Sequence, residues 1–333
     1  MHTRVVRIDP ANPDPAILAE AVRILRANGL VAFPTETVYG LGGRALSSEA
    51  VTRIFEAKGR PRAHPLIAHI TDEEAARSLS AEWSDRASRF ARAFWPGPLT
   101  LVVPRAAYVP ESLVGGGRTV AVRAPSNPIA LALLYAIGEP LAAPSANRFQ
   151  SLSPTRAEHV VRALEGRVEL ILDGGPCIAG IESTVVDVRG EHATVLRPGA
   201  IAISDLRTVE PTIVATAAPS VAGDAMRPSP GMDARHYAPR ARLVVAPDRY
   251  SAAELAASHH ARGEHVALVT RAPVGLRPFE TRILPDDPAA FAAQLFATLH
   301  ALDDAGTAIV FVEAVPTGEA WWAVADRLRR ASA

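Results

Sequence analysis

Lys58 is the only lysine among the 35 lysine and arginine residues of the chain. It opens the run Lys-Gly-Arg-Pro at residues 58–61, so one residue separates its ammonium from the guanidinium of Arg60. The ammonium is a compact point charge and the guanidinium a planar fork, and together they could grip a polyphosphate. Arg62 and His64 extend this basic run. The simpler alternatives are a lysine that survived by chance and a basic residue that caps the end of a helix.

A run of polar residues and glycines at positions 34–42, Pro-Thr-Glu-Thr-Val-Tyr-Gly-Leu-Gly, directly follows a predicted strand. The hydroxyls of Thr35 and Thr37, the Glu36 carboxylate and the Tyr39 phenol could orient a small polar substrate. The glycines would let the backbone approach a ligand closely. A threonine-rich loop that binds nothing is the alternative.

The segment Ala-Pro-Ser-Ala-Asn at residues 143–147 follows another predicted strand at its carboxyl end. Ligands bind at that edge of α/β sheets, which makes Ser145 and Asn147 candidate site residues. Ser153 stands at the start of the next predicted helix, whose free amide groups could receive a phosphate. Ordinary capping of that helix explains Ser153 equally well.

Three further signals are weak when each is taken alone. Arg123 ends a predicted strand that follows Thr119, and arginines at strand ends are common on protein surfaces. Residues 180–184, Gly-Ile-Glu-Ser-Thr, and residues 196–199, Leu-Arg-Pro-Gly, combine polar side chains with glycine.

Several common types of site are missing from the sequence. There is no Walker-type glycine loop, no G-x-S-x-G elbow or Ser/His/Asp order of a hydrolase, and no paired metal-ligand motif. Cys177 is the only cysteine, which excludes an internal disulfide and a multi-cysteine metal site. Acidic and basic residues balance at 35 each, so there is no overall field that would hold a nucleic acid.

The composition is that of a soluble globular protein, with 48% hydrophobic and 21% charged residues. The longest apolar stretch, near residues 129–137, is far short of the roughly 20 residues that a membrane span needs. Arg4, Arg7 and Asp9 interrupt any apolar core of a signal peptide. We therefore expect a cytoplasmic protein.

Alternating strand-like and helix-like segments predict an α/β (or α+β) domain with a mixed sheet over residues 1–207. Residues 208–239 break this alternation and are rich in proline, alanine and glycine, which is typical of a linker. The same stretch carries the pair His236-Tyr237, which is unusual in a passive linker. Residues 240–333 alternate again and predict a small doubly wound α/β domain.

The bounds of these elements follow from periodicity, capping residues and turn signals. Strands are predicted at residues 5–8, 30–33, 66–70, 99–103, 120–123, 141–143, 170–172, 185–188, 243–245, 265–269, 282–284 and 308–312. Helices are predicted at residues 15–27, 48–57, 82–94, 128–137, 155–164, 251–261 and 289–305.

Taken together and in order, these motifs resemble those of one known family. The resemblance rests on residues 34–42, 58–61, 65–67 (Pro-Leu-Ile), 95–100 (Trp-Pro-Gly-Pro-Leu-Thr), 122–123 (Val-Arg), 143–147 and 182–184 (Glu-Ser-Thr). The chain is similar to the YrdC-like family, in its long form with an added C-terminal domain. The similarity is strong to about residue 207, clear at the linker and weak beyond residue 240.

This resemblance implies a twisted mixed sheet with a concave basic cavity. It implies a nucleotidyltransferase that makes L-threonylcarbamoyl-AMP and pyrophosphate from L-threonine, bicarbonate and ATP, for the threonylcarbamoyladenosine modification of tRNA. Mg²⁺ would accompany ATP, with no organic cofactor and no metal ligand assigned to the protein. The product would pass to a threonylcarbamoyl transferase that acts on tRNA, with at most weak direct contact with tRNA and none with a membrane.

The resemblance also implies roles for individual residues. The catalytic set would be Lys58, Arg60, Ser145 and Asn147. L-Threonine would be held by Thr35 or Thr37, His69, Arg123, Ala143 and Ser183. ATP would be held by Lys58, Arg60, His64, Thr119, Ser145, Ser153, Arg197, His236 and Tyr237.

The linker would close over the cavity, with His236 and Tyr237 facing the ligand. Two positions depart from the family pattern. Asp233-Ala234 replace a basic-aromatic pair that the family usually carries in the linker, and His64 replaces a frequent asparagine. His64 can still donate a hydrogen bond, although its charge depends on pH.

Two other functions stay open at this point. A concave basic surface could bind double-stranded RNA or tRNA, although the zero net charge argues against such a module. A carbamoyl-transfer domain like those of hydrogenase maturation factors is the other, although such proteins carry zinc-finger and acylphosphatase segments that are missing here.

Overall fold

The computed structural model describes residues 2–215 and 235–333, which form two domains, each built on one sheet. The first sheet has ten strands of mixed direction, and the second has four parallel strands. The predicted α/β fold, with a mixed sheet and a small doubly wound second domain, is therefore confirmed. The linker residues Asp233 and Ala234 lie outside the described residues.

The first sheet brings distant parts of the chain side by side. Its strands are β1 (Arg4–Arg7), β2 (Val31–Phe33), β3 (Gly40–Arg44), β4 (Ile67–His69), β5 (Leu99–Pro104), β6 (Thr119–Arg123), β7 (Leu141–Ala142), β8 (Leu170–Asp173), β9 (Thr184–Asp187) and β10 (Thr194–Arg197). They lie in the order β1-β8-β2-β3-β7-β4-β6-β5-β9-β10. Because β4 and β6 run parallel and end in register, His69 lies directly beside Arg123.

Helices cover this sheet, and two of them begin with the same signal. They are α1 (Pro15–Arg26), α2 (Ser48–Lys58), α3 (Glu73–Leu79), α4 (Asp85–Phe94), α5 (Pro128–Ile137), α6 (Ala157–Leu164) and α7 (Ile203–Val209). In α1 and α5 a side-chain oxygen, from Asp14 or Asn127, caps the first turn and proline follows. These two helices pack together on the end of the sheet that contains β1, β8 and β2.

The second helix, α2, delivers the basic residues to the interior. The Ser47 hydroxyl caps its first turn, and Gly59 ends it in the left-handed conformation at φ 64°. A side chain at position 59 would be strained at that φ, and its Cβ would lie 3.0 Å from the Arg148 guanidinium. The helix therefore stops at Lys58 and the chain turns Arg60 inward, so that both side chains are buried.

Strand β3 is an element that the sequence does not predict. Residues 40–44 contain three glycines, and glycine is depleted in strands. A Cβ on Gly42 would lie 2.6 Å from the Phe33 ring, so the glycine lets that ring pack against the strand. β3 pairs antiparallel with β2. The connection between them, residues 34–39, holds Thr35 and Thr37 in a buried position.

The second domain has helices on both faces of its sheet. Its elements are β11 (Arg242–Ala246), α8 (Arg249–Ala261), β12 (Val266–Thr270), β13 (Glu280–Ile283), α9 (Pro288–Asp304), β14 (Ile309–Glu313), a 3₁₀ turn (Glu319–Trp321) and α10 (Trp322–Ala331). α8 packs on one face, and α9 and α10 pack on the other. Trp321 anchors the start of α10 through an edge contact with Phe291 of α9, with ring centres 5.6 Å apart.

The two domains share a hydrophobic cluster. Val38 and Ile181 from the first domain pack in it with Tyr237 and with apolar side chains of α9 and α10. Gly180, at φ 69°, comes so close that a Cβ would lie 2.5 Å from the Cα of Ala293. The first domain therefore meets the second through packed apolar surface.

The chain stays on the first sheet beyond residue 207. Ile213 is 5% exposed within the core of the first domain. The carbonyl oxygen of Val214 accepts the Val195 amide of β10 at 2.9 Å. Packing against the first sheet thus continues to Val214.

A pair of histidines forms a polar contact between the domains. His159 on α6 and His300 on α9 stack with ring centres 3.8 Å apart. His159 Nδ1 accepts the Thr155 amide at 3.2 Å, and His300 Nε2 donates to the Ser153 carbonyl oxygen at 3.1 Å. Burial lowers the pKa of His159 to about 3 and also lowers the pKa of His300, so both rings are neutral at pH 7.

Acid is expected to destabilise the protein through this pair. A histidine whose folded pKa lies below its unfolded value stabilises the fold fully above pH about 6.5, and this stabilisation is lost as pH falls toward the folded pKa. The double variant His159→Phe/His300→Phe should therefore show a fall in Tm between about pH 7.5 and pH 5.5 that is smaller by about 2–4 °C. Equal falls for the wild type and the variant in calorimetry would contradict this expectation.

Candidate active site

A small cavity lies between residues of the first domain and the linker residues His236 and Tyr237. Its walls are formed by Thr37, Val38, Arg60, Ile67, His69, Arg123, Ala143, Pro144, Ser145, Glu182, Ser183, Arg197, His236 and Tyr237. Its volume is about 40 Å³. Pockets for small molecules are on the order of 300–1,000 Å³, so in this conformation the linker residues leave little room for a ligand.

Arg123 is held in place on one wall by three contacts. Its Nε donates to the Gly97 carbonyl oxygen at 3.3 Å, and its Nη1 donates to the Thr37 hydroxyl at 2.9 Å. Its Nη2 forms an ion pair with the Glu36 carboxylate at 2.7 Å. Both charged side chains are buried, so the ion pair acts in a medium that screens it little.

The hydroxyl groups of Thr35 and Thr37 form a chain of hydrogen bonds next to Arg123, and the donor and acceptor of each bond can be assigned. Thr35 Oγ1 donates to the Val38 carbonyl oxygen at 2.7 Å and lies 2.7 Å from Thr37 Oγ1. Since Thr35 has one hydroxyl proton, Thr37 must donate to Thr35, and it accepts from Arg123. A ligand atom that meets the Thr37 hydroxyl must therefore be a donor, such as an amine N–H. Arg123 beside it presents donors to an acceptor such as a carboxylate, so this wall suits the two ends of an α-amino acid.

His69 lies next to Arg123 and is 2% exposed. Burial, and then the charge of Arg123, lowers the pKa of His69 to about 3. The ring is therefore neutral at pH 7, and it can donate or accept a hydrogen bond without adding charge to the cavity.

Ser183 and Arg197 form another part of the wall. Arg197 Nη2 donates to the carbonyl oxygen and to the hydroxyl of Ser183 at 3.0 Å and 3.1 Å. A Cβ on Gly199 would lie 2.4 Å from the carbonyl carbon of Ser183, so only glycine lets the two segments lie this close. Burial lowers the pKa of Arg197, but a guanidinium remains protonated at neutral pH.

Lys58 contacts the loop behind the cavity wall. Its Nζ donates to the carbonyl oxygens of Ser145 at 2.6 Å and Asn147 at 2.5 Å. Burial, and then the charges of Arg60 and Arg148, lower the pKa of Lys58. Lys58 thus fixes the position of residues 145–147, of which Ser145 faces the cavity.

Glu182 is the acidic residue among the wall residues given above. One of its oxygens accepts from the Ser153 hydroxyl, and the other accepts from Nε of Arg327 at 2.8 Å. The capping alternative for Ser153 is wrong, because Arg156 occupies the N-cap position of α6. Its hydroxyl serves Glu182 instead.

His236 and Tyr237 form part of the cavity wall, and both are almost fully buried. Burial, and then the charges of Arg60 and Lys58, lower the pKa of His236 well below its usual value, so the ring is neutral. Burial, and then Glu182, raise the pKa of Tyr237. Tyr237 adopts a left-handed backbone conformation at φ 61°, which is uncommon for a residue with a side chain.

The charges around the cavity favour an anionic ligand. Arg60, Arg123 and Arg197 line it with buried guanidinium groups. The Glu182 carboxylate is paired with Arg327. Positive charge in a poorly screened cavity attracts phosphates and carboxylates strongly.

Ten of the predicted site residues line the cavity. Four others lie behind its walls, and a fifth packs against a neighbour of His236. The ten are Thr37, Arg60, His69, Arg123, Ala143, Ser145, Ser183, Arg197, His236 and Tyr237. Thr35, Lys58, Asn147 and Ser153 support wall residues, and His64 packs edge-on against Phe149, which in turn contacts His236. Thr119 lies at the opposite end of β6 from Arg123, and the structure does not bring it to the cavity.

Sequence reasoning missed two charged residues at the site. Glu182 stands inside a recognised segment but receives no role there, whereas Glu36, expected to orient a substrate, forms the ion pair with Arg123. Arg327 has no local signal, because it lies 145 residues from its partner Glu182. Only the fold could bring these two together.

Within residues 2–215 and 235–333, no group of three or more histidine, cysteine or carboxylate side chains could hold a metal ion. Glu182, on the cavity wall, has both oxygens engaged, and this does not fit a Mg²⁺ ligand. In the same two ranges, no helix has the length and apolar character to cross a bilayer.

Two family models match consecutive parts of the chain. The Sua5/YciO/YrdC model, described as telomere recombination, matches residues 23–199. The model described as threonylcarbamoyl-AMP synthase, C-terminal domain, matches residues 201–333.

Individual relatives match over most of the chain. The chain is 41% identical over 319 residues to threonylcarbamoyl-AMP synthase of Pyrococcus abyssi, with 94% of this chain and 93% of that protein covered. It is 44% identical over 234 residues to the protein of the same name from Bacillus subtilis, with 70% and 67% covered. The crystal structure of P. abyssi Sua5 complexed with L-threonine matches with a TM-score of 0.92 at 38% identity, with 100% of this chain and 98% of that one covered.

Proposed function

Because the chain belongs to the Sua5/YciO/YrdC family in its long two-domain form, we propose that it makes L-threonylcarbamoyl-AMP and pyrophosphate from L-threonine, bicarbonate and ATP. The observation that carries the proposal is the cavity, where a wall suited to an amino acid lies beside the guanidinium groups of Arg60 and Arg197. The product serves the threonylcarbamoyladenosine modification of tRNA.

The reaction needs no nucleophile from the protein. The amine of threonine and bicarbonate condense to a carbamate with loss of water. A carboxylate oxygen of the carbamate then attacks the α-phosphorus of ATP, the bond from that phosphorus to the bridging oxygen breaks, and pyrophosphate leaves. The protein has to align the reactants and stabilise the charge that develops on the phosphate oxygens.

The residues of the cavity divide between the two substrates. Arg123 binds the carboxylate of threonine, and the Thr37 hydroxyl accepts an N–H of its amine because the proton of Thr37 is committed to Thr35. Arg60 and Arg197 bind phosphate oxygens of ATP. Lys58 holds the 145–147 loop in the cavity wall through its contacts with two carbonyl oxygens of that loop.

Magnesium enters this scheme with the nucleotide. Since the side chains of the cavity wall do not fit a metal ligand set, Mg²⁺ would be carried by phosphate oxygens of ATP and would offset part of their charge. Arg60 and Arg197 neutralise the remainder.

The small cavity volume corresponds to a closed form of the enzyme, in which His236 and Tyr237 cover the substrate site. ATP and threonine can enter only when His236 and Tyr237 move outward, because the cavity holds about 40 Å³ in this conformation. Carbamates are short-lived in water, so closure after binding has a chemical purpose, which is to keep water from the intermediate.

The proposal is tested by omitting one reactant at a time. The purified protein should release pyrophosphate from MgATP only when both L-threonine and bicarbonate are present, because the carbamate is the attacking group. Pyrophosphate is measured with a coupled phosphatase assay in buffer freed of carbon dioxide. Equal release without threonine would contradict the proposed function.

The product is a mixed anhydride of a carbamate and AMP, which is an activated acyl donor. It is expected to pass to a threonylcarbamoyl transferase that acts on tRNA. No observation in the described residues favours an RNA-binding module or a carbamoyl-transfer domain over the proposed activity.

A further inference from the structure

Arg327, on α10 of the second domain, reaches into the first domain and is 0% exposed. Its Nε donates to Glu182 Oε2 at 2.8 Å, and its Nη2 donates to the Pro198 carbonyl oxygen at 3.0 Å. Its guanidinium carbon lies 4.8 Å from the ring centre of Tyr237. A buried guanidinium is tolerated only when its charge is paired and its N–H groups are bonded, so these contacts define where the side chain must lie.

The first consequence concerns the cavity wall. Glu182 is buried, and its two oxygens are engaged by Ser153 and Arg327. Without Arg327, Glu182 would lose its ion-pair partner, and the cavity wall would gain negative charge. Such a charge would repel the phosphates of a nucleotide in a poorly screened space.

The second consequence concerns the linker residues His236 and Tyr237. The Tyr237 ring lies between Arg327 and Phe296, with ring centres of the two aromatic residues 5.7 Å apart. The His236 amide donates to the Arg330 carbonyl oxygen at 3.1 Å, one turn further along α10. Backbone strain such as the left-handed conformation of Tyr237 persists only where the surroundings hold it, and here α10 supplies that hold.

A buried acid on the same helix fixes Arg327 in turn. Asp326 accepts from Arg327 Nη1 at 2.9 Å and from Arg330 Nε at 3.0 Å. It also pairs with Arg329 at 2.7 Å, whose side chain is 53% exposed and is absent from the cavity wall. Arg329 therefore offers a matched control, since it shares Asp326 with Arg327 but not the contacts to Glu182 and Tyr237.

We propose that Arg327 is a positioning residue of the active site, which acts through Tyr237 and Glu182 and makes the second domain a part of the closed cavity. The inference rests on the proposed function, since it takes this cavity to be the place where nucleotide and threonine react. It assigns the second domain a task in the reaction cycle, which is to hold the linker residues shut over bound substrates.

The first test measures closure without any reaction. Hydrogen exchange of the His236 and Ala238 amides is compared in the wild type, Arg327→Gln, Arg327→Lys and the control Arg329→Gln, with no substrate present. Exchange should be at least about 10-fold faster in Arg327→Gln and intermediate in Arg327→Lys, which can keep the ion pair but loses the fork. It should be unchanged in Arg329→Gln. Unchanged exchange rates in both Arg327 variants would overturn the proposal. Because no substrate is present, this result does not depend on which reaction the wild type catalyses.

The second test separates positioning from general instability. The KM for ATP should rise about 100-fold in Arg327→Gln and about 10-fold in Arg327→Lys, with kcat reduced less, while Arg329→Gln stays within about twofold of the wild type. The effects of Arg327→Gln and Tyr237→Leu on the KM for ATP should not add in the double variant, because both substitutions release the same linker residues from the cavity. Additive effects, or kinetics within twofold of the wild type, would overturn the proposal. If Arg327→Gln does not fold, Arg327→Lys decides by the same criteria.

Discussion

Replacing Lys58 by arginine is expected to lower kcat/KM by at least about 100-fold, although the positive charge is kept. The Lys58 ammonium fits between the Ser145 and Asn147 carbonyl oxygens at 2.6 Å and 2.5 Å, and the side chain is 2% exposed. A guanidinium is larger and flat, so it must push the 145–147 loop out of place, and overpacking of this kind costs about 1–3 kcal/mol. The measurement is steady-state release of pyrophosphate, together with Tm to follow stability.

A matched control for Lys58→Arg is Arg62→Lys. Arg62 belongs to the same basic run, but its side chain is 71% exposed and its ion pair with Glu56 is long, at 3.8 Å. Exposed pairs of this kind contribute little, so Arg62→Lys should keep its activity within about twofold. Wild-type rates for Lys58→Arg would show that the lysine is dispensable and would refute its role in fixing the loop.

Replacing Arg123 by lysine is expected to raise the KM for L-threonine by about 100-fold and to change the KM for ATP by less than about threefold. One ammonium cannot reach Gly97, Thr37 and Glu36 from the position of the guanidinium and still meet a carboxylate in the cavity. Thr37 also loses the donor that helps to fix its hydroxyl, so the amine of threonine is oriented less well. The comparison of the two KM values shows which substrate Arg123 serves.

The control for Arg123→Lys is Arg118→Lys, in an exposed residue that directly precedes β6. It makes the same chemical change in the same part of the chain without touching the cavity, so both KM values should stay within about twofold of the wild type. A loss of ATP binding equal to the loss of threonine binding in Arg123→Lys would contradict the assignment of this wall to the amino acid.

The sequence could predict those parts of the site whose position depends on a single segment of the chain. Arg123 ends an apolar strand, as the sequence predicts, whereas the parallel pairing with β4 that sets His69 beside Arg123 is known only from the structure. The helix predicted over residues 48–57 ends within one residue of α2, at the glycine that follows Lys58. In these cases local spacing is enough.

The parts that sequence could not predict depend on contacts between distant segments. Strand β3 contradicts the strand propensity of glycine, and its glycines make sense only once the Phe33 ring is known to lie against them. The family resemblance implied that Thr119 holds ATP, but Thr119 begins β6 and Arg123 ends it, and a strand rises by about 3.3 Å per residue. Arg327 belongs to the site only because α10 packs back against Glu182, which nothing near residue 327 announces.

The role of Lys58 changes most when the fold is known. The pair with Arg60 and the family resemblance predicted direct contact with ATP, whereas the structure directs the Lys58 ammonium to two backbone carbonyl oxygens. A lysine that positions a loop is as sensitive to replacement as one that binds a ligand, because both need a compact donor at one point. Composition therefore identified the residue, and only the fold identified what it holds.

The most direct test of the central claim is the mass of the product formed with ¹³C-labelled bicarbonate. Wild-type protein, MgATP, L-threonine and the labelled bicarbonate should give a compound with the mass of threonylcarbamoyl-AMP plus one ¹³C, in an amount equal to the pyrophosphate released. Release of pyrophosphate with AMP alone, or a product without the label, would contradict the account.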